Sequence, residues 1–296
     1  MSGGALDTPM MRQFLGVKAQ HPDAVVFYRM GDFYELFLDD AELVAPLLDI
    51  ALTSRNKGKP DAVPMCGVPV HAADAHIKRL AQLGHRIAIC EQVENPKDVG
   101  GKRLVRREVV EVVTPGLVGD PEGLDGRTVV AVAAISFESG SNQFGLAVLD
   151  ASTADFRTTT VKAETEDFPL SAKAESIPDA LLQELARVSP RELLLPADRL
   201  EAWSLMLTDS LDDVALTSVS DESYSAREET ADWPGDFAEG KDPGSRAAVA
   251  VANYLTANQP FAANNPPRLR RYEIADSVVL DASTRRHLEL HENSED

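Results

Sequence analysis

The sequence predicts an α/β protein of two domains: a mixed-sheet domain, then one in which three antiparallel strands precede alternating helices and strands. Three observations carry this. Runs of β-branched and aromatic residues, AVVFYRM (24–30) and FYELF (33–37), lie between helical stretches in the first 115 residues. A stretch rich in Gly, Pro and Asp, LVGDPEGLDGRT (117–128), then interrupts the chain. Beyond it TVVAVAAISF, QFGLAVLDAS and DFRTTTV follow one another across the short gaps ESGSN and TA. The expected boundaries are 1–115 for the first domain, 116–127 for a linker, 128–265 for the second domain and 266–296 for a second linker and the truncated start of a helical domain.

In the first domain Thr8-Pro9 reads as a helix start, Thr as N-cap and Pro at the first helical position, with an end near His21-Pro22. Two strands follow, 24–30 and 33–37, joined by Gly31-Asp32 as a two-residue hairpin turn. Asp39-Asp40 would cap the helix AELVAPLLDIAL. The segment 53–64, TSRNKGKPDAVP, reads as a loop made positive by Arg55, Lys57 and Lys59, either simply solvated or placed against phosphate. PMCGVPVHA (64–72) reads as turn-rich backbone, AADAHIKRLAQLG as a helix ended by Gly84, and RIAICEQ and RREVVEVV as strands, the second stopped by Pro115-Gly116.

Composition narrows the functional classes. With 44% hydrophobic and 26% charged residues the chain reads as a soluble globular protein, and no apolar run reaches the roughly 20 residues that span a bilayer. Cys66 and Cys90, a lone pair in so long a chain, read as reduced thiols of a cytosolic protein. The net charge of −19 is unevenly spread: residues 1–120 carry 14 basic and 16 acidic side chains, residues 121–296 carry 15 and 32. The first part can hold a locally basic surface, while the second repels polyanions.

Strand parity puts Phe33 and Glu35 on one face and Tyr34 and Leu36, the natural inward pair, on the other. A large aromatic then points outward beside the turn with a carboxylate two residues on. Two readings fit that spacing. In one, Phe33 is half-buried and Glu35 is solvated. In the other, the ring unstacks a base step and the acid takes a hydrogen bond from the displaced base.

Taken together, TPMMRQF (8–14), FYRMGDFYELF (27–37), PMCGVPVHA (64–72), AICEQ (88–92) and VTPG (113–116) closely resemble the MutS family of mismatch-recognition proteins, and LDASTRR (280–286) resembles the family's entry into its helical core. The resemblance implies that Phe33 enters the minor groove and stacks on a mispaired base while Glu35 hydrogen-bonds that base. It puts Arg55, Lys57, Arg106 and Arg107 in regions used against the DNA backbone, with Met30 and Met65 flanking the wedge. Discrimination would be indirect: kinking a duplex and opening a base step costs a few kcal/mol, and less where the pair is already mismatched.

In the second domain the three strands are followed by expected helices near Asp179–Val188 and Arg199–Leu207, with the strand RELLLP between them, then a strand near Val214–Val219 and a helix at Ser245–Ala257. This is a ribonuclease-H-like arrangement, which the resemblance also implies for a connector domain. Nucleases of that fold hold two metal ions with clustered carboxylates, one usually midway along the first strand. Here that strand, VVAVAAIS, has no acid, and Asp150 and Asp155 sit at strand ends, where capping of turns is the simpler role. The six His and two Cys show no metal-ligand spacing. Residues 220–244, acidic and Ser-rich, read as a mobile surface loop that Trp233 and Phe237 could pin or offer to a partner. The resemblance implies that this domain relays contact with a MutL-type partner.

Full-length members of the family use ATP with Mg and form homodimers. The P-loop this needs, G-x-x-x-x-G-K-[ST], does not occur: after Gly58-Lys59, Gly101-Lys102 and Gly240-Lys241 no Ser or Thr follows. The expectation is a truncated form or excised fragment, monomeric and without a cofactor of its own, from a bacterial-type cytoplasmic, nucleoid-associated protein. Its partner would be double-stranded DNA with a mismatch or small loop.

Overall fold

The computed structural model describes residues 5–94, 104–118, 130–138, 142–163, 177–211, 213–228, 230–235, 237 and 242–274. The chain divides into two compact units, Met1–Val118 with Asn258–Pro260, and Gly119–Ala257 with Phe261–Asp296.

In the first unit, helix α1 (Pro9–Gln20) begins as expected: the Thr8 hydroxyl accepts from the Met11 backbone N–H, and Pro9 stands at the first helical position. Strands β1 (Ala24–Met30) and β2 (Phe33–Phe37) form an antiparallel hairpin in which Met30 faces Phe33. Gly31, at the first of the two turn positions, has φ +61°, the conformation a two-residue turn needs there. Helix α2 (Leu38–Leu48) follows directly, with Phe37 at the N-cap. Asp39 and Asp40 lie in its first turn and do not cap it. Asp40 turns inward, accepting from Lys18 Nζ at 2.8 Å and from the Val26 N–H at 3.0 Å.

The segment read as a basic loop and turn-rich backbone is instead an edge pair. Strand β3 (Thr53–Arg55) pairs antiparallel with β4 (Val63–Pro69), and β4 pairs with β2. Only the tip, Asn56 to Ala62, turns. Pro64 and Pro69 stand near the two ends of β4, where each is paired on one side only, and that is why Pro hid the strand. A short 3-10 turn (Val70–Ala72) leads into α3 (Ala73–Gln82), and Gly84 with φ +88° ends that helix region as anticipated. Strands β5 (Arg86–Gln92) and β6 (Arg107–Val113) complete a sheet of order β3-β4-β2-β1-β5-β6, mixed because β1 and β5 run parallel. Phe14 of α1 packs edge-on against Phe37 and Tyr28 on one sheet face, and α2 covers the other, where the Cys66 thiol meets the Ala41 carbonyl.

The second unit has strands β7 (Ala131–Glu138), β8 (Gln143–Asp150) and β9 (Asp155–Lys162) as an antiparallel meander. Helix α4 (Asp179–Val188), β10 (Glu192–Pro196), α5 (Leu200–Ser210), β11 (Ala215–Val219) and α6 (Pro243–Asn258) follow. The strand order β11-β10-β7-β8-β9, with β10 parallel to β7, is the expected ribonuclease-H-like arrangement. It gains an edge strand, β12 (Leu269–Arg271), where a trailing linker was expected.

The part of the acidic segment 220–244 that is described is anchored to its own domain. The Tyr224 hydroxyl donates to the Ile135 carbonyl, Thr230 donates to Asn253, and the Asn253 amide donates to the carbonyls of Ser223 and Ser225. Trp233 is buried and Phe237 meets Phe156 edge-on, so both pin the segment to its own domain. Residues 119–127 of the expected linker (116–127), Gly101-Lys102, Gly240-Lys241 and LDASTRR (280–286) lie outside the described residues.

Candidate nucleic-acid interface

Six of the eight residues singled out from the sequence share one face of the first sheet. Cross-strand partners carry their side chains on the same face, so the pairs Met30–Phe33, Tyr28–Glu35, Glu35–Gly67, Phe37–Met65, Arg55–Val63, Tyr28–Cys90 and Gln92–Arg107 place Met30, Phe33, Glu35, Met65, Arg55 and Arg107 together. Away from the turn this face is core: α1 covers it, and Tyr28 and Phe37 are fully buried. Toward the turn α1 no longer covers it, and Phe33 is 47% exposed, whereas Tyr34 and Leu36 on the opposite face are buried as expected.

The Asp32 carbonyl accepts from the Val70 N–H at 3.0 Å, which ties the turn to the end of β4. Beneath the opposite face the Tyr34 hydroxyl donates to Glu91, and Arg29 reaches the same carboxylate at 3.4 Å while lying 5.5 Å over the Tyr34 ring. The aromatic therefore stands on a strand fixed from both sides.

Glu35 is half-buried, and among the described residues its carboxylate has no hydrogen bond or ion pair. Burial pushes its pKa above the ordinary carboxylate value, while the charges of Arg55 and Arg107 pull it down. A desolvated acceptor with unspent lone pairs next to an exposed ring suits a ligand that offers both an aromatic face and an N–H. Gly67, directly opposite Glu35, contributes no side chain against the Phe33 ring. Sequence reading missed Gly67, and only the β2–β4 register reveals it.

The cationic candidates separate. Arg55 is half-buried on β3 near Glu35, and Lys57 is exposed in the β3–β4 turn. Arg106 is exposed, 3.3 Å from Glu108, with its backbone N–H donated to Glu94. Arg107 departs from the expected backbone contact. It is buried, and its guanidinium is engaged by internal acceptors, among them the Arg29 carbonyl and Gln13. Met30 is half-buried with its sulfur 3.4 Å from Arg107 Nη2, and Met65 packs on the core beside Phe37 rather than beside the turn.

In the second unit β7 is buried along all but its end, and its polar residue Ser136 donates to the Pro243 carbonyl at the start of α6. Asp150 caps a turn, accepting from the Ser152 N–H and hydroxyl and the Thr153 N–H. Burial works to raise its pKa, but these hydrogen bonds outweigh it and hold the carboxyl below its usual value. Gly58-Lys59 occupies the exposed β3–β4 hairpin tip, not the strand-to-helix loop a phosphate cradle requires. No helix among the described residues is long and apolar enough to cross a membrane.

Fold and site together define a class: a two-domain α/β protein whose first domain offers an aromatic ring and a carboxylate from a braced hairpin, and whose second is a ribonuclease-H-like domain with an acid-poor first strand. Residues 8–122 match the family model of MutS domain I and residues 129–267 that of MutS domain II. The DNA mismatch repair protein MutS of Syntrophobacter fumaroxidans is 41% identical over 292 residues, which cover 96% of this chain and 31% of that protein. Those of Desulforapulum autotrophicum and Sorangium cellulosum are each 39% identical, over 97% and 96% of this chain and 32% and 31% of theirs. The chain belongs to the MutS family and carries its domains I and II in order; it spans about a third of the length of these relatives.

Proposed function

We propose that the chain serves DNA mismatch repair by binding duplex DNA at mispaired or unpaired bases, with Phe33 as a minor-groove wedge and Glu35 as the acceptor for the base it displaces. The observation that carries this reading is the exposed Phe33 ring beside a half-buried Glu35 whose carboxylate has no protein hydrogen bond among the described residues. The wedge tests deformability: a matched step resists unstacking by a few kcal/mol and a mismatched one by less. Arg55, Lys57 and Arg106 supply phosphate contacts around the wedge. The homodimer and the ATP and Mg chemistry that the family resemblance implies are assigned to no residue of this chain. On this chain we assign the MutL-type partner contact to the second domain, where Leu205 of α5 is 75% exposed.

The test compares binding of a G·T duplex, an unpaired-base duplex and matched DNA by the 296-residue chain and by Phe33→Ala. The wild type prefers the defective duplexes and the variant does not. Equal preference in both would refute the wedge.

A further inference from the structure

Arg107 opens β6, the sheet edge opposite β3 and the third strand along from β2, yet its side chain works at the root of the β1–β2 hairpin. Only 7% exposed, it donates from Nε to the Arg29 carbonyl at 2.6 Å, from Nη1 to Gln13 Oε1 at 3.2 Å and the Val105 carbonyl at 3.0 Å, and from Nη2 to the Met30 sulfur at 3.4 Å. The guanidinium also lies 5.0 Å over the Tyr28 ring, and Tyr28 is the cross-strand partner of Glu35. Met30 in turn is the partner of Phe33. One buried cation thus touches the strand neighbours of both residues assigned to the mismatch.

Resting on the wedge reading, we infer that Arg107 is a positioning residue: it fixes the end of β1 from which the turn springs and so keeps the Phe33 ring and the Glu35 carboxylate aligned. Burying a guanidinium is costly unless its donors are all engaged, and here a planar fork meets acceptors from three segments. Lysine carries the charge but not that fork. The groups that face Glu35 electrostatically are Arg55 from β3 and Arg107 from β6, both lowering its proton affinity against the burial that raises it.

The experiment uses the full 296-residue chain as wild type, Arg107→Gln, Arg107→Lys and, for comparison, Arg106→Gln. Binding to G·T and matched duplexes is measured across a salt series. Separately, the Met30 methyl resonance and the Glu35 carboxyl titration are followed by NMR without DNA. Positioning predicts that Arg107→Gln moves the mismatch-to-matched ratio toward one while matched affinity and salt slope stay at wild-type values. It also predicts a shifted Met30 methyl and a Glu35 that titrates at higher pH. Arg107→Lys should restore the Glu35 titration but not the Met30 environment. A parallel loss on both duplexes, with the salt slope reduced by about one, would make Arg107 a phosphate contact and overturn the inference. Unchanged Met30 and Glu35 spectra would overturn it as well. Should Arg107→Gln fail to fold, Arg107→Lys alone decides through the Met30 signal. A wild type without mismatch preference would refute the wedge, and the DNA-free spectra would still judge the hold on the hairpin.

Discussion

Phe33 leans over Gly67: a Cβ built on that glycine would meet the ring's Cδ1 at 3.9 Å and the Tyr34 carbonyl at 3.6 Å. Both are ordinary contact distances, so Gly67→Ala should fold normally and keep its mismatch preference. Gly67→Val, still at an exposed strand position that suits a branched side chain, should fold yet crowd the Phe33 ring. The expected result is reduced mismatch preference with thermal stability close to wild type, read by duplex binding and calorimetry.

Phe33 and Phe37 lie on one face of one strand but differ in burial, 47% exposed against none. Phe37→Ala should cost about 3–5 kcal/mol by opening a cavity against Phe14. Phe33→Ala should change stability by no more than about 0.5 kcal/mol. Denaturant unfolding of the two variants checks that the exposed ring is not there for the fold.

Glu35 predicts a pH effect. Its folded pKa lies above the unfolded value because burial penalises the charge. Between those two values the folded state binds more protons, so this group makes stability fall as pH rises, and the penalty is complete above the folded pKa. Glu35→Gln should therefore unfold at a higher temperature than wild type at neutral pH. The gap should close as pH drops below the ordinary carboxylate range. A variant less stable than wild type at neutral pH would contradict this.

Asp242 carries the opposite sign. It sits just ahead of Pro243 as the N-cap of α6, accepts from the Ser245 N–H and hydroxyl, and pairs with Arg271 of β12 at 2.7 Å. Burial works to raise its pKa, but the hydrogen bonds from Arg271 and Ser245 outweigh it and hold the carboxyl well below the usual range. The stability it confers is present above the unfolded pKa and lost as pH falls through the folded one. Asp242→Ala should cost about 1–2 kcal/mol at neutral pH and progressively less in acid, measured by urea unfolding across pH.

Arg106 and Glu108 form an exposed pair, so Arg106→Gln should leave stability within about 0.5 kcal/mol. Its signature belongs in DNA binding: weaker affinity for every duplex alike and a salt slope lower by about one. Selective loss on mismatched DNA would contradict the phosphate assignment.

What was legible in the sequence was local. The Thr8 cap, the Gly31-Asp32 turn and the alternation of Phe33 and Glu35 against Tyr34 and Leu36 follow from turn chemistry and a period of two, which need no distant partner. Strands β3 and β4 were not legible, because the ends of β4, each paired on one side only, accept the Pro that normally signals a loop. Arg107 looked like its neighbour Arg106. Alternation sends one of them outward and the other into the sheet's core face, and only the β1–β5–β6 order shows what the inward one meets. The segment around Tyr224 to Trp233 read as loose from its acidic composition, while its hold comes from a few anchors, Asn253 above all, that composition averages away.

The wedge itself is tested most directly by placing a reporter at its tip. In Phe33→Trp, the two native tryptophans, Trp203 and Trp233, are buried, so an indole at position 33 reports separately as the exposed one. The account predicts that its fluorescence is quenched by stacking when a G·T or unpaired-base duplex is added and remains unquenched with matched DNA at equal occupancy. Identical fluorescence with both duplexes would contradict it.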